Sequence, residues 1–153
     1  MPDWITHILF AFILADLLKE KKSLVLVGAV LPDLFIAPWV FLKNFGDSDL
    51  FFAVFSPTHT PFTSFLLSAS FSSFFKKPHK AIALLSFGWA SHLFLDLFQA
   101  PVGYMLLWPF SYAGFGFNLV YSDNLILPAA VFALFCFYLL FKGLKTKEGF
   151  RFF

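Results

Sequence analysis

The sequence predicts an all-α fold: a polytopic membrane bundle of about five helices, one domain over residues 1–153. Three observations carry this reading. Hydrophobic residues make up 59% of the chain against 13% charged, and the mean hydropathy is +0.80, whereas a soluble domain of this length needs more polar surface. The 26 phenylalanines fall on every side of any helix drawn through them, so no apolar stripe separates from a polar face and lipid is the natural solvent. Finally, the basic residues fall almost wholly on one side of a chain that crosses a bilayer at each apolar segment.

Five apolar segments define the elements: Trp4 to Leu18, Leu24 to Leu42, Pro61 to Phe75, Ala81 to Ala100 and Leu125 to Phe141. Each lies at or just under the roughly 17 to 25 residues that cross a bilayer core as helix. The first and third are short, which implies little tilt, local thinning or an end inside the membrane. Pro32 in AVLPDLF frees backbone groups and predicts a break in the second segment. Thr58, Thr60, Thr63 and Ser64 cap or start the third, and Ser122 or Asp123 caps the last. The opening MPDWITH has neither the basic region nor the cleavage site of a signal peptide, so the first segment reads as part of the mature protein. Cys136 is the single cysteine and sits in an apolar run, which excludes an intrachain disulfide.

Charge orients the bundle. Lys19, Lys21, Lys22, Lys76, Lys77, Lys80, Lys142, Lys145, Lys147 and Arg151 fall on one side, and only Lys43 on the other, with Asp3, Asp47, Asp49 and Asp123. By the positive-inside rule the lysine side is cytoplasmic and the N-terminus is outside. Trp4, Trp39, Trp108, Tyr104, Tyr112 and Tyr121 map to the outer interface, where an aromatic ring with a polar tip is favoured. The long apolar loop from Pro101 to Asn124 is expected to fold back as a lid or a partly re-entrant element. A net charge of +2, with no base-stacking pattern among the basic residues, argues against a nucleic-acid partner.

Ionisable side chains in a spanning helix are costly unless they face the bundle interior and find partners. His7 lies 12 residues from Lys19, Asp33 is 11 from Lys22, and His92 and Asp96 are 12 and 16 from Lys80. Helix rise converts these into depths of about 18, 16, 18 and 24 Å, in the outer half of a core about 30 Å thick. Four polar groups on three helices at similar depth point to one site. His92 and Asp96, spaced i and i+4, share a helix face; both can reach one cation, or Asp96 can orient the His92 ring. For His7 the alternatives are an interfacial histidine and a ligand; for Asp33, a cap at the proline break and a ligand. His59, in the turn SPTHTPFTS, joins the site only if that turn folds inward. Asp16 is expected to pair with Lys19, while Glu20 and His79 read as cytoplasmic loop residues.

The order TH near the N-terminus, LPD in the second segment, TH before the third and SHxxxD in the fourth, followed by PVGYMLLWPF, resembles the YdjM-type family of membrane-bound, metal-dependent hydrolases. That family is grouped by fold with the zinc-dependent phospholipases C. The resemblance, over Thr6 to about Phe110, implies His7, Asp33, His92 and Asp96 as ligands of a divalent metal such as zinc, with His59 a further ligand or a substrate-binding group. Two positions depart from the family pattern: Phe35 stands where a second carboxylate is frequent, and SPTHTPFTS offers one histidine where the family often has two. These departures bear on how many ions the site holds and on whether catalysis is retained.

The function expected is a membrane-embedded hydrolase of multi-pass topology in the cell membrane, open to the outer leaflet. A bound ion would acidify its water and polarise an ester, with His59 or Asp33 as general base and a phosphoester or phospholipid as substrate. The depth of the site independently favours a lipid-like molecule. Two other classes compete: a non-enzymatic membrane protein that binds or conducts metal ions or protons, and a bundle using polar contacts as interhelical glue. The first requires charged groups continuing to the cytoplasmic face, where only Asp16 lies; the second leaves the shared depth unexplained.

Overall fold

Apolar composition and scarce glycine or proline within each segment favour helix, and the computed structural model is mostly helical. It describes residues 4–42, 56–100, 103–121 and 124–145. Asp3, Lys43, Asp47, Asp49, Ser122, Asp123, Lys147 and Arg151 lie outside the described residues, as do the side chains of Phe35, Trp39 and Lys145. The described helices are α1 (Trp4–Leu17), α2 (Lys22–Leu42), α3 (Pro61–Ser72), α4 (Pro78–Asp96) and α5 (Ile126–Lys145), with a 3₁₀ turn at Ser56–His59.

The five helices match the five apolar segments, with shifts at their ends. Thr60 caps α3, its hydroxyl accepting the Thr63 amide at 3.2 Å, and Pro61 occupies the first turn. The helix then stops at Ser72 rather than Phe75, where the Ser72 and Ser73 hydroxyls turn back on the carbonyls of Ala69 and Ser70. α4 starts early, at Pro78, because proline suits a first helical turn. It ends at Asp96, short of the predicted Ala100, since a residue preceding proline disfavours helical backbone. Gln99–Ala100 forms β1 instead, paired in parallel with β2 (Val120–Tyr121), a two-stranded element that the all-α expectation omitted.

Pro32 breaks nothing: α2 runs unbroken through it. Its ring is fully buried, and packing against α1 and α4 holds the helix together across the missing amide donor. At the start of α5, the Asn124 side chain accepts the Ile126 amide at 3.0 Å and supplies the cap expected of its neighbours.

The core forms where α1, α2 and α4 face one another with small residues. Ala11 and Ala15 of α1, Val25 and Ala29 of α2 and Leu84 of α4 are buried together, with Leu31, Leu85, Trp89 and Leu93 beside them. At the α2–α4 crossing, a Cβ on Gly28 would stand 2.2 Å from the Leu85 carbonyl oxygen, and one on Gly88 2.0 Å from that of Val25. The backbones touch there, which no residue but glycine permits.

α5 stands apart, packing chiefly on α1. Phe132, Leu134, Phe137, Leu140 and Leu144 are exposed along it. Among the described residues, Ile126–Leu144 is the one span long and apolar enough to cross a membrane, whereas α1, with 14 residues, is shorter. What fastens α5 is Asp16. Its expected partner was Lys19, but Lys19 has a φ of 54° and ends α1, with the Glu20 amide bonded back to the Ala15 carbonyl at 3.0 Å. That turn leaves Asp16 to Lys22, at 2.6 Å, and to Lys142 and Tyr138 of α5. Glu20 pairs with Lys80 at 2.7 Å, and the ammonium holds its carboxyl below the ordinary range. His79 lies in the first turn of α4, exposed, rather than in a loop.

Candidate metal centre

Antiparallel neighbours carry their polar residues to one end of the bundle. On α1 the spacing His7, Ala11, Ala15 keeps one face toward the core; on α2 it is Val25, Ala29, Asp33, and on α4 it is Leu84, Gly88, His92, Asp96. The small residues allow close approach, and the polar residues end each stripe at the same level. The 3₁₀ turn does fold inward, since His59 is buried at 3% exposure with the others. His7, Asp33, His92 and Asp96 are each at most 5% exposed.

The structure therefore brings together all five residues singled out in the sequence. His92 Nε2 lies 3.1 Å from Asp96 Oδ2 and 3.7 Å from Asp33 Oδ1. His59 Nε2 is 3.6 Å from Asp33 Oδ1 and 3.8 Å from Asp96 Oδ2, and His7 Nε2 is 3.6 Å from Asp96 Oδ1. Most of these separations are too long for hydrogen bonds, yet they join buried polar atoms. Two ligands at about 2.1 Å from a tetrahedral cation stand about 3.4 Å apart, which is the spacing seen here. The groups His7, His92, Asp96 and Asp33, His59, His92 each converge closely enough to hold one ion, with His92 common to both.

A fit to a metal is supported by what these atoms lack. His7 Nε2, Asp33 Oδ1, His59 Nε2, His92 Nε2 and Asp96 Oδ2 are buried without a hydrogen-bond partner, an arrangement that costs about 1–3 kcal/mol or more per group if nothing else satisfies it. Imidazole and carboxylate donors suit zinc and other borderline or hard divalent ions. Cys136, on α5, is no part of the set.

Surrounding groups fix the donors in place. His92 Nδ1 donates to the Ala29 carbonyl at 2.7 Å, which places a proton on Nδ1 and turns Nε2 toward the carboxylates. The His7 ring stacks on His92 at 3.8 Å, and Thr58 Oγ1 lies 3.1 Å from His59 Nδ1.

Two neighbours were missed in the sequence. Gln99, 2% exposed, donates from Nε2 to Asp96 Oδ1 at 2.7 Å, and its position three residues after Asp96 was the available signal. Tyr104 was assigned to the outer interface; it is buried instead and stacks over His59 at 5.9 Å. Burial, followed by the nearby Asp96 and Asp33 carboxylates, pushes its phenol above the ordinary range, so it remains a proton donor. Tyr112 and Tyr121 are exposed.

The segment 103–121 folds back over this end of the bundle. Tyr104 and Phe115 exchange backbone hydrogen bonds at 2.9 Å, and Trp108 and Phe110 rest against Phe62 of α3.

The family model described as YdjM inner membrane protein matches residues 1–150. No curated protein and no solved structure matches the chain.

Proposed function

The chain belongs to the YdjM inner membrane protein family, and from that premise we propose that it is a membrane-embedded, metal-dependent hydrolase acting on a phosphoester or phospholipid from the outer side. One observation carries the reading: five buried His and Asp side chains from four separate elements present unpartnered atoms at ligand-to-ligand spacing. His7, Asp33, His59, His92 and Asp96 would hold the ion. When bound, a divalent ion supplies Lewis acidity that polarises an ester and acidifies a water.

The chain's own groups do the rest. Ala29 and Gln99 orient His92 and Asp96, so these two are bound in advance to their positions. His59 stacks against Tyr104 of the loop and lies 3.6 Å from Asp33, and either of the two would suit the proton-accepting role. Tyr104, with its proton retained, suits an oxygen that gains negative charge. Trp108 and Phe110, on the loop over α3, would border the apolar part of a lipid-like substrate. A conducting role finds less support. Between this site and Asp16 the described α1, α2 and α4 core includes Ala11, Ala15, Val25, Ala29 and Leu84 and no titratable side chain, and the buried Ser64, Ser68 and Ser72 of α3 supply hydroxyls alone.

The test is metal analysis of detergent-purified protein beside a His92→Ala, Asp96→Ala double variant. The wild type should carry stoichiometric divalent metal and hydrolyse phospholipid or a phosphodiester; the variant should lose the metal and at least about a hundredfold in turnover. Equal, near-zero metal in both proteins would end the metal-site reading. Metal without turnover on any phosphoester would leave a binding protein and end the hydrolase reading.

A further inference from the structure

The opposite end of the bundle carries a cavity whose chemistry differs from that of the His and Asp centre. A pocket of about 390 Å³ opens between the start of α2, the segment after α3 and the start of α4, lined by Lys21, Leu24, Phe74, Phe75, Lys76, Lys77, Lys80 and Ala81. Its size falls within the range of small-molecule sites. Lys80 spends its charge on Glu20, but among the described residues Lys21, Lys76 and Lys77 have no carboxylate partner. Four ammonium groups around one cavity repel one another, and one carboxylate offsets only part of that repulsion. An anion in the pocket would relieve it. Along α4 the pocket lies 12 residues from His92, about 18 Å by helix rise, so it is separate from the His and Asp centre.

The apolar wall says which anion. Phe74 is 83% exposed and Phe75 41%, both beside the lysines. Large aromatic side chains left bare next to ammonium groups suit a ligand with a charged end and a hydrocarbon end, placed where headgroups meet acyl chains. A free phosphate would use the lysines and leave both rings in water.

We propose that this pocket is a binding site for an anionic phospholipid, its phosphate held by Lys21, Lys76 and Lys77 and its chains laid over Phe74 and Phe75. The lysines act as mobile point charges, which selects for negative charge on the headgroup rather than for one headgroup shape. In a membrane, the lipid would fasten the α3–α4 turn to the bilayer surface. The site is independent of the metal-centre reading and of which ion that centre takes.

The probe is short-chain phosphatidylglycerol titrated into the full-length protein in a zwitterionic detergent, with phosphatidylcholine of equal chain length as comparison. Phosphatidylglycerol should bind about tenfold or more tightly than phosphatidylcholine. Lys76→Gln with Lys77→Gln should weaken it by about tenfold, and Lys76→Arg with Lys77→Arg should retain it. Phe74→Ala should weaken the lipid while leaving any binding of inorganic phosphate unchanged. Lys19→Gln removes a charge from the same end outside the pocket and should change affinity less than twofold. All these residues are exposed, so melting temperatures close to wild type should accompany each result. Equal weakening by Lys19→Gln and Lys77→Gln would mean diffuse surface charge and overturn the site. Displacement by millimolar inorganic phosphate, with no effect of Phe74→Ala, would overturn the lipid as its occupant.

Discussion

At the scale of single residues, the candidate centre depends on groups that touch no substrate. Gln99 holds Asp96 Oδ1 at 2.7 Å and is itself buried by the turn of chain that ends α4. Gln99→Leu keeps much of the volume but removes the donor. Asp96 then has one oxygen without its orienting partner and is freer to rotate away from the imidazoles. The expected cost is about 1.5–3 kcal/mol of stability, the value of a hydrogen bond to a charged group. Divalent metal affinity should fall by about 10–100-fold, the usual effect of losing a group that orients a ligand. Titration of the apo-protein with zinc, beside a denaturation curve, measures both. Loss of stability with unchanged affinity would show that Gln99 serves the fold and not the site. Nothing in the residue type alone marked Gln99, because a glutamine at the end of an apolar segment reads as an interfacial side chain; the helix had to stop at Asp96 first.

At the scale of elements, the centre exists because α2 and α4 approach backbone to backbone. Gly88 is one turn below His92, and Gly28 precedes Ala29, whose carbonyl accepts from His92. Gly88→Val places a branched side chain where even a Cβ meets the Val25 carbonyl oxygen at 2.0 Å, so the helices must separate. Overpacking of this kind costs about 1–3 kcal/mol, and here the shift also draws His92 from Ala29. The variant should melt lower and bind metal more weakly, whereas Ser70→Val on the exposed face of α3 should do neither. Normal melting and metal content in Gly88→Val would contradict the close crossing. Helix positions were legible because long apolar segments punctuated by charge leave little choice. The shared level of His7, Asp33, His92 and Asp96 followed from counting rise per residue. The crossing was not legible, since two isolated glycines do not say that they meet. The unbroken α2 and the partners of Asp16 were hidden for a related reason: tertiary packing overrides proline's local effect, and Lys142 is distant in sequence.

At the scale of the whole molecule, the bundle has two chemically unlike ends. One holds the buried imidazoles and carboxylates beneath a folded-back loop; the other holds Asp16, Glu20 and the lysines. Because α1 runs antiparallel to α2 and α4, which run parallel to each other, each contributes to both ends, and on the multi-pass reading a bilayer would lie between them. With the lysine end cytoplasmic, an odd number of crossings places Trp4 outside and the end of α5 inside. Single cysteines in a Cys136→Ser background test this. Trp4→Cys should react with a membrane-impermeant maleimide on intact spheroplasts, and Lys145→Cys only after permeabilisation. Trp4 is 45% exposed, so failure to label there would reflect location and not burial. The opposite pattern would invert the orientation and turn the metal centre toward the cytoplasm. Labelling of both positions from one side would mean an even number of crossings. In that case one of the shorter helices, α1 at 14 residues or α3 at 12, enters the bilayer without traversing it, as their lengths of about 21 and 18 Å against a core of about 30 Å allow.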